Sequence, residues 1–189
     1  MQVYHGSGTK FNEFKIQRFA KNASLMGYGI YLTDSKERAK CYADQYLYTV
    51  QFDNTNSKTV SSTELTMTLA DVVSIYEAVA KKQIETDGYP YILSDWGEPT
   101  SDTEIDAENQ LIALQAAKST FETADNDLDV INEIYHECGN DADLLNSILS
   151  EMNIHYSVQN FVNMLTGEVS KEYVVFNPKD IQILAVQSN

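Results

Sequence analysis

A chain of 189 residues, 43% of them hydrophobic, can bury the core of one domain, or of one domain carrying a large insertion, without disulfide staples. Its 28 acidic residues against 13 basic ones give a formal charge of −15, which argues against a partner held mainly through phosphate contacts. Cys41 and Cys138 have no Cys-x-x-Cys spacing, no apolar run reaches about 18 residues, and the first residues lack a basic stretch ahead of an apolar one. A zinc site, a membrane-spanning helix and a signal peptide are therefore not expected, and a soluble, cytoplasmic protein is.

Gln2 to His5 reads as a short strand, and Gly6-Ser7-Gly8 after it is turn chemistry that lets the backbone approach a ligand closely. Gly29 to Thr33 reads as the next strand. Asp34, with Glu37 three residues on, predicts a helix N-cap, and Ala39, Tyr42, Ala43 and Tyr46 predict an apolar helical stripe behind it. Leu47 to Phe52 alternates as a strand that ends near Asp53, with Asn54 to Ser57 as the break.

From Thr63 to Met152 the apolar period changes from two to about 3.6. One helix is marked by Leu65, Leu69, Val72, Val73, Tyr76 and Val79, a second by Ile105, Ile112 and Ala116. A third is marked by Leu128, Ile131, Ile134 and Cys138, a fourth by Leu144, Leu145, Ile148, Leu149 and Met152. Between the first two, Asp87 to Thr103 carries Gly88, Pro90, Gly97 and Pro99 and predicts an irregular loop. Strands return at Tyr156 to Phe161, Glu172 to Phe176 and Ile181 to Val186, with a turn at Thr166-Gly167-Glu168 and a stop at Pro178. Two β-rich ends around a helical middle predict an α+β chain whose ends meet in one core: residues 1–62 and 154–189 form the halves, and 63–153 a helical insertion.

Three segments carry candidate chemistry: Val3-Tyr4-His5-Gly6-Ser7, Gly27-Tyr28-Gly29-Ile30-Tyr31-Leu32-Thr33-Asp34 and Lys171-Glu172-Tyr173-Val174-Val175-Phe176. Each alone is weak, since a Gly-x-Gly without its third glycine is a poor dinucleotide fingerprint. In this order they resemble the His-Tyr-Glu signature of ADP-ribosyltransferases of the diphtheria-toxin and poly(ADP-ribose) polymerase class. The run from Gly29 into Ser35-Lys36-Glu37-Arg38-Ala39-Lys40-Cys41-Tyr42-Ala43, and the ending Glu172 to Pro178, are most similar to the ADP-ribosyltransferase domains of bacterial and phage polyvalent proteins. The resemblance spans about residues 1–53 and 155–187 and leaves the middle unexplained.

The resemblance implies a split β-sheet core, NAD as co-substrate without a metal, and transfer of ADP-ribose to a macromolecule, with location in a cytoplasm of its own or of a host. It implies that Glu172 stabilises an oxocarbenium-like ribose as nicotinamide leaves, and that His5 holds a ribose hydroxyl. The backbone of Gly6 would pair with the carboxamide, Ser7 would hold a ribose or cap the turn, and Tyr31 and Tyr42 would sandwich the nicotinamide ring. Lys10, Lys15, Arg18, Lys21, Lys36, Arg38 and Lys40 make the first forty residues locally basic enough to attract a pyrophosphate, whereas acidic residues crowd Glu98 to Asp143. Ala39 stands where the polymerases carry a nicotinamide-binding serine, and Ser170 replaces the first acid of the Glu-x-Glu pair of arginine-modifying toxins.

Arg38 reads either as a contact for the second substrate or as a solvated helix charge, and His136 and His155 as structural. The charge favours a protein acceptor over nucleic acid, mono-transfer follows from the toxin-like and phage-like resemblance, and the helical middle could select a basic protein acceptor, cover the site as a lid, or bind a partner or immunity protein. An NAD glycohydrolase using the same residues, and a catalytically silent NAD-binding or protein-interaction module, remain open as alternatives.

Overall fold

The computed structural model describes residues 1–16, 28–53, 57–87 and 107–188. Two compact units emerge, one made of Met1–Ser61 with Asn153–Asn189, the other of Ser62–Met152. Among the described residues the first unit holds seven strands: β1 (Gln2–Ser7), β2 (Ile30–Thr33), β3 (Tyr46–Phe52), β4 (Lys58–Ser61), β5 (Ile154–Val162), β6 (Val169–Val175) and β7 (Ile181–Ser188). They form one mixed sheet in the order β4-β5-β6-β2-β1-β3-β7. Among the described strands only β4 and β5 pair in parallel. A parallel pair needs a long crossover, and the chain makes it through the whole second unit, which follows β4 and precedes β5. β4 is a strand that the composition of the sequence does not announce.

Strand alternation sends Val3, Ile30, Leu32, Val50, Phe52, Tyr156, Tyr173 and Val175 into one core cluster. The halves of the sheet meet at a thin seam. β1 and β2 are paired only through Tyr4 opposite Thr33, whereas β1 pairs with β3 along its whole length and β2 with β6 from Ile30 to Thr33. The expected split core is thus one sheet with a weak line between β2 and β1.

The helix after β2 differs from the expectation. α1 spans only Lys36–Lys40, and its N-cap is Ser35, whose hydroxyl accepts from the Arg38 amide. Asp34 is instead engaged with β6: its N–H donates to Lys171 O at 3.1 Å, and its carboxylate accepts from the Lys171 N–H at 2.8 Å. Tyr46, expected on the helical stripe, opens β3. A helix this short has too few internal hydrogen bonds to stand alone, and Ala39 and Ala43 hold the segment down by packing with Leu47 and Tyr4.

The second unit contains α2 (Leu69–Asp87), α3 (Ala107–Thr123), α4 (Asp127–Glu137) and α5 (Ala142–Glu151). Leu65 lies ahead of α2, because Thr68 and Asp71 exchange side-chain-to-backbone hydrogen bonds of 2.8 and 3.2 Å that fix the helix start. Asp127 is fully buried and its carboxylate accepts from Thr66 N–H, Met67 N–H and the Thr66 hydroxyl at 2.6, 2.7 and 2.5 Å. The Tyr76 hydroxyl joins α2 to α3 and α4 by hydrogen bonds with Thr120 and Glu137; burial first, then Glu137, pushes its pKa up. Among the described residues no helix is long and apolar enough to cross a membrane. The expected loop at Asp87 to Thr103 and the helix marker Ile105 lie outside the described residues, apart from the end of α2.

Candidate active site

Glu172 sits in the middle of β6, opposite Thr33 of β2 and Gln159 of β5. Its side chain is 14% exposed, and both carboxylate oxygens are engaged. Arg38 Nε donates to Oε1 at 2.8 Å, and Gln159 Nε2 donates to Oε2 at 3.0 Å. Arg38 is thus an ion-pair partner of Glu172 rather than a solvated helix charge. It reaches across from α1 to the carboxylate, and its guanidinium carbon lies 3.6 Å from the Phe161 ring centroid and 4.8 Å from that of Tyr42. Val174 and Phe176 follow Glu172 on the same side of β6 and are buried.

His5 occupies the seam. The pleat turns it to the side of Tyr48, its partner on β3, and its ring packs edge-on against Phe14 at 5.1 Å and Phe11 at 5.9 Å. Its Nδ1 lies 2.8 Å from the carbonyl oxygen of Tyr31. A carbonyl can only accept, so Nδ1 carries the proton and Nε2 presents a lone pair. Burial, partly offset by that backbone hydrogen bond, lowers the pKa of His5 below the usual imidazole value. The imidazole therefore stays neutral at neutral pH.

Gly6 is required by close approach. A Cβ there would lie 2.2 Å from Ala39 O, 2.6 Å from Ala43 N and 2.7 Å from Tyr42 C, so the turn that ends α1 rests on its backbone. Ser7 caps the following turn: its hydroxyl donates to Thr9 O at 3.0 Å and accepts from Thr9 N–H at 3.1 Å. Tyr31 is half-buried on β2 opposite Val174 and so shares the side of Glu172. Tyr42 is 56% exposed and lies beyond the end of α1 rather than on an apolar stripe. Burial raises the pKa of Tyr42; Arg38 pulls it down and Glu172 pushes it up.

The seam therefore brings His5 to the main chain of Tyr31, and the β6–β2 pairing brings Glu172 beside Thr33 and onto the face of Tyr31, two residues along β2. The side chains of His5 and Glu172 are not brought together: His5 turns with Tyr48 to the face of the core cluster, and Glu172 to the face that carries α1. A family model described as "ADP-Ribosyltransferase in polyvalent proteins" matches residues 1–188. The chain belongs to this family. No curated protein and no solved structure matches it. The match takes in the helical unit as well as the strands, so the ADP-ribosyltransferase domain of this family includes Ser62–Met152. ADP-ribosyltransferases as a class take NAD as co-substrate and transfer ADP-ribose.

Within this ADP-ribosyltransferase, Ala39 is 1% exposed and its carbonyl faces Gly6, so a serine hydroxyl there would enter a packed contact. His136 Nδ1 lies 3.0 Å from Asn140 Oδ1 within the helical unit, and His155 Nδ1 lies 2.9 Å from Asp180 Oδ2 beside the short helical turn Pro178–Asp180. Among the described residues no group of three or more His, Cys, Asp and Glu side chains is disposed to hold a metal ion. Of the basic residues, Lys40 pairs with Glu37 at 2.7 Å and Lys15 with Glu13 at 3.5 Å; Arg18 and Lys21, with Gly27 of the glycine-rich run, lie outside the described residues. Gln159 and Phe161 were not legible as site residues. Their one signal is the spacing of two on a strand facing the glutamate strand.

Proposed function

We propose that the protein is a mono-ADP-ribosyltransferase that cleaves NAD at the nicotinamide–ribose bond and passes ADP-ribose to a protein acceptor. The observation that carries this reading is the setting of Glu172: a largely buried carboxylate in the middle of a paired strand, with the Gln159 amide donating to Oε2. A preorganised negative charge of this kind stabilises the positive charge that develops on ribose as neutral nicotinamide leaves. The bare Nε2 of neutral His5 supports it, because that atom can accept a ribose hydroxyl proton while Nδ1–H fixes the ring on Tyr31 O.

In this reading nicotinamide and its ribose lie on the face of Glu172 and Tyr31, and His5, which the pleat turns to the opposite face, would meet a ribose hydroxyl where the β1–β2 seam opens past Tyr4 and Thr33. Gly6 would offer its backbone to the carboxamide, and Tyr31 and Tyr42 their rings to nicotinamide. Ser7 serves the turn. Residues 1–62 and 154–189 act as the catalytic core, and 63–153 as an insertion that recruits an acceptor, a partner or an immunity protein.

A protein acceptor is favoured by the charge of −15, which repels nucleic acid. It is favoured also by the β5–β6 hairpin, whose connecting turn carries Met164 and Leu165 at 98% and 96% exposure between the strands that bear Gln159 and Glu172. Incubation with adenylate-labelled NAD and a whole-cell extract tests the reading. Label on protein, resistant to nuclease and absent with Glu172→Gln, is expected. Nicotinamide release with no label on any macromolecule would replace transfer by hydrolysis.

A further inference from the structure

Arg38 is held the way a bound ligand is held. Gln159 and Phe161 on β5 and Glu172 on β6 project from the same side of the sheet, since Gln159 pairs with Glu172 and Phe161 with Ser170, two residues before it. Together they present an aromatic face, a carboxylate and an amide that steadies the carboxylate from behind. Into this corner Arg38 places its guanidinium, 3.6 Å from the Phe161 centroid, with Nε 2.8 Å from Glu172 Oε1. Tyr42 closes the other side at 4.8 Å. An aromatic face attracts a cation through its quadrupole, and a flat cation best of all because it can stack while its edge meets the carboxylate. The receptor comes from paired strands. The occupant comes from a five-residue helix outside the sheet, whose own hydrogen bonds resist movement little.

With the guanidinium in place the charge of Glu172 is cancelled at short range, and a cancelled carboxylate cannot stabilise a second cation beside it. We infer that Phe161, Glu172, Gln159 and Tyr42 form a receptor for a planar cation, that the Arg38 guanidinium is its internal occupant, and that a pyridinium ring enters by displacing Arg38. Naming that ring as the nicotinamide of NAD rests on the proposed function above; the receptor itself does not. Arg38 then acts as an internal competitor, so that Glu172 is unmasked only when a cationic ring has arrived.

The test compares wild type with Arg38→Gln, which keeps the length and polarity of the side chain and removes its charge. The probes are N-methylnicotinamide, a permanent pyridinium, and nicotinamide, its neutral counterpart, with binding measured by calorimetry. Loss of a competitor held by a charge-assisted hydrogen bond should tighten N-methylnicotinamide binding about tenfold in Arg38→Gln, with nicotinamide changed less than about twofold. Adding Phe161→Leu should remove the gain. Arg38→Lys, which keeps a cation but loses the flat stacking surface, should give an intermediate gain and reads the same effect if Arg38→Gln is unstable. A folded Arg38→Gln or Arg38→Lys protein that binds N-methylnicotinamide no more tightly than wild type would overturn the inference, since a purely structural ion pair predicts no gain. NAD turnover assayed on the same proteins separates the two readings. Tighter pyridinium binding without turnover keeps the receptor and removes the transferase, whereas turnover without tighter binding does the reverse.

Discussion

Replacing Gly6 by alanine adds one methyl group at the point where β1 supports the turn after α1. That methyl carbon would stand 2.2 Å from Ala39 O, 2.6 Å from Ala43 N and 2.7 Å from Tyr42 C, where ordinary contact needs about 3.5 Å. All three neighbours are main-chain atoms, so no side chain can rotate aside, and α1 or β1 must move by about 1 Å. The cost should lie near the top of the range for overpacking, about 3 kcal/mol, which for a chain of this size is a fall in Tm of about 6–12 °C. The same shift displaces Tyr42, whose ring is proposed to meet nicotinamide, relative to Glu172, and a displacement of about 1 Å at groups that position a substrate lowers rate by about a hundredfold. Gly8→Ala is the control, because its Cβ would meet only Asp44 Oδ2, at 3.5 Å, and should change stability by less than about 0.5 kcal/mol. Urea unfolding and nicotinamide release from NAD measure the two effects. A Gly6→Ala protein as stable and as active as Gly8→Ala would refute the close approach.

His5 titrates below the usual imidazole value because burial disfavours its charged form. As pH falls through about 6.5 the unfolded chain takes up a proton that the native state refuses, so this contribution to stability is full above that pH and shrinks below it. Urea midpoints between pH 7.5 and 5 should therefore fall less for His5→Gln than for wild type; equal falls would mean that His5 is not held neutral. NAD affinity should weaken over the same acid limb, as protonated Nε2 can no longer accept a hydrogen bond, and a flat profile would count against the ribose contact. Asp127→Ala strips the acceptor from three donors around a fully buried site and should destabilise the helical unit by about 3 kcal/mol. Loss of helical circular dichroism at lower urea would report it, and an unchanged midpoint would contradict the role of that carboxylate.

The parts of this fold that could be read along the chain are those fixed by local pattern. Alternation in Leu47 to Phe52, the period of α4 and α5, and the Pro178 stop each depend on neighbours in sequence, and each element appears near its expected place. The parts that could not be read depend on distant partners. Asp34 has the sequence of an N-cap, yet the edge of β6 takes its backbone and carboxylate and leaves the cap to Ser35. The stripe from Ala39 to Tyr46 fits a helix, but Tyr46 pairs with Ser7 on β1 and Ser188 on β7 and belongs to the sheet. β4 is four residues long with only Val60 fully buried, too short for alternation to mark it. At the candidate site, the histidine, tyrosine and glutamate segments stand out in the sequence only through family resemblance. The pairing of Arg38 with Glu172 spans 134 positions, and Gln159 meets the same carboxylate only because β5 and β6 are in register; no local pattern encodes either.

Glu172 is the group proposed to stabilise the ribose cation. Glu172→Gln keeps the shape of the side chain and a carbonyl oxygen to accept from Arg38 or Gln159, but removes the negative charge. Nicotinamide release from NAD by the purified variant, followed beside the wild type at neutral pH with the urea midpoint as a check on folding, is the direct measurement. A fall of at least about a hundredfold in the rate with the midpoint little changed is the predicted result. Release at an undiminished rate by the folded variant would contradict the account.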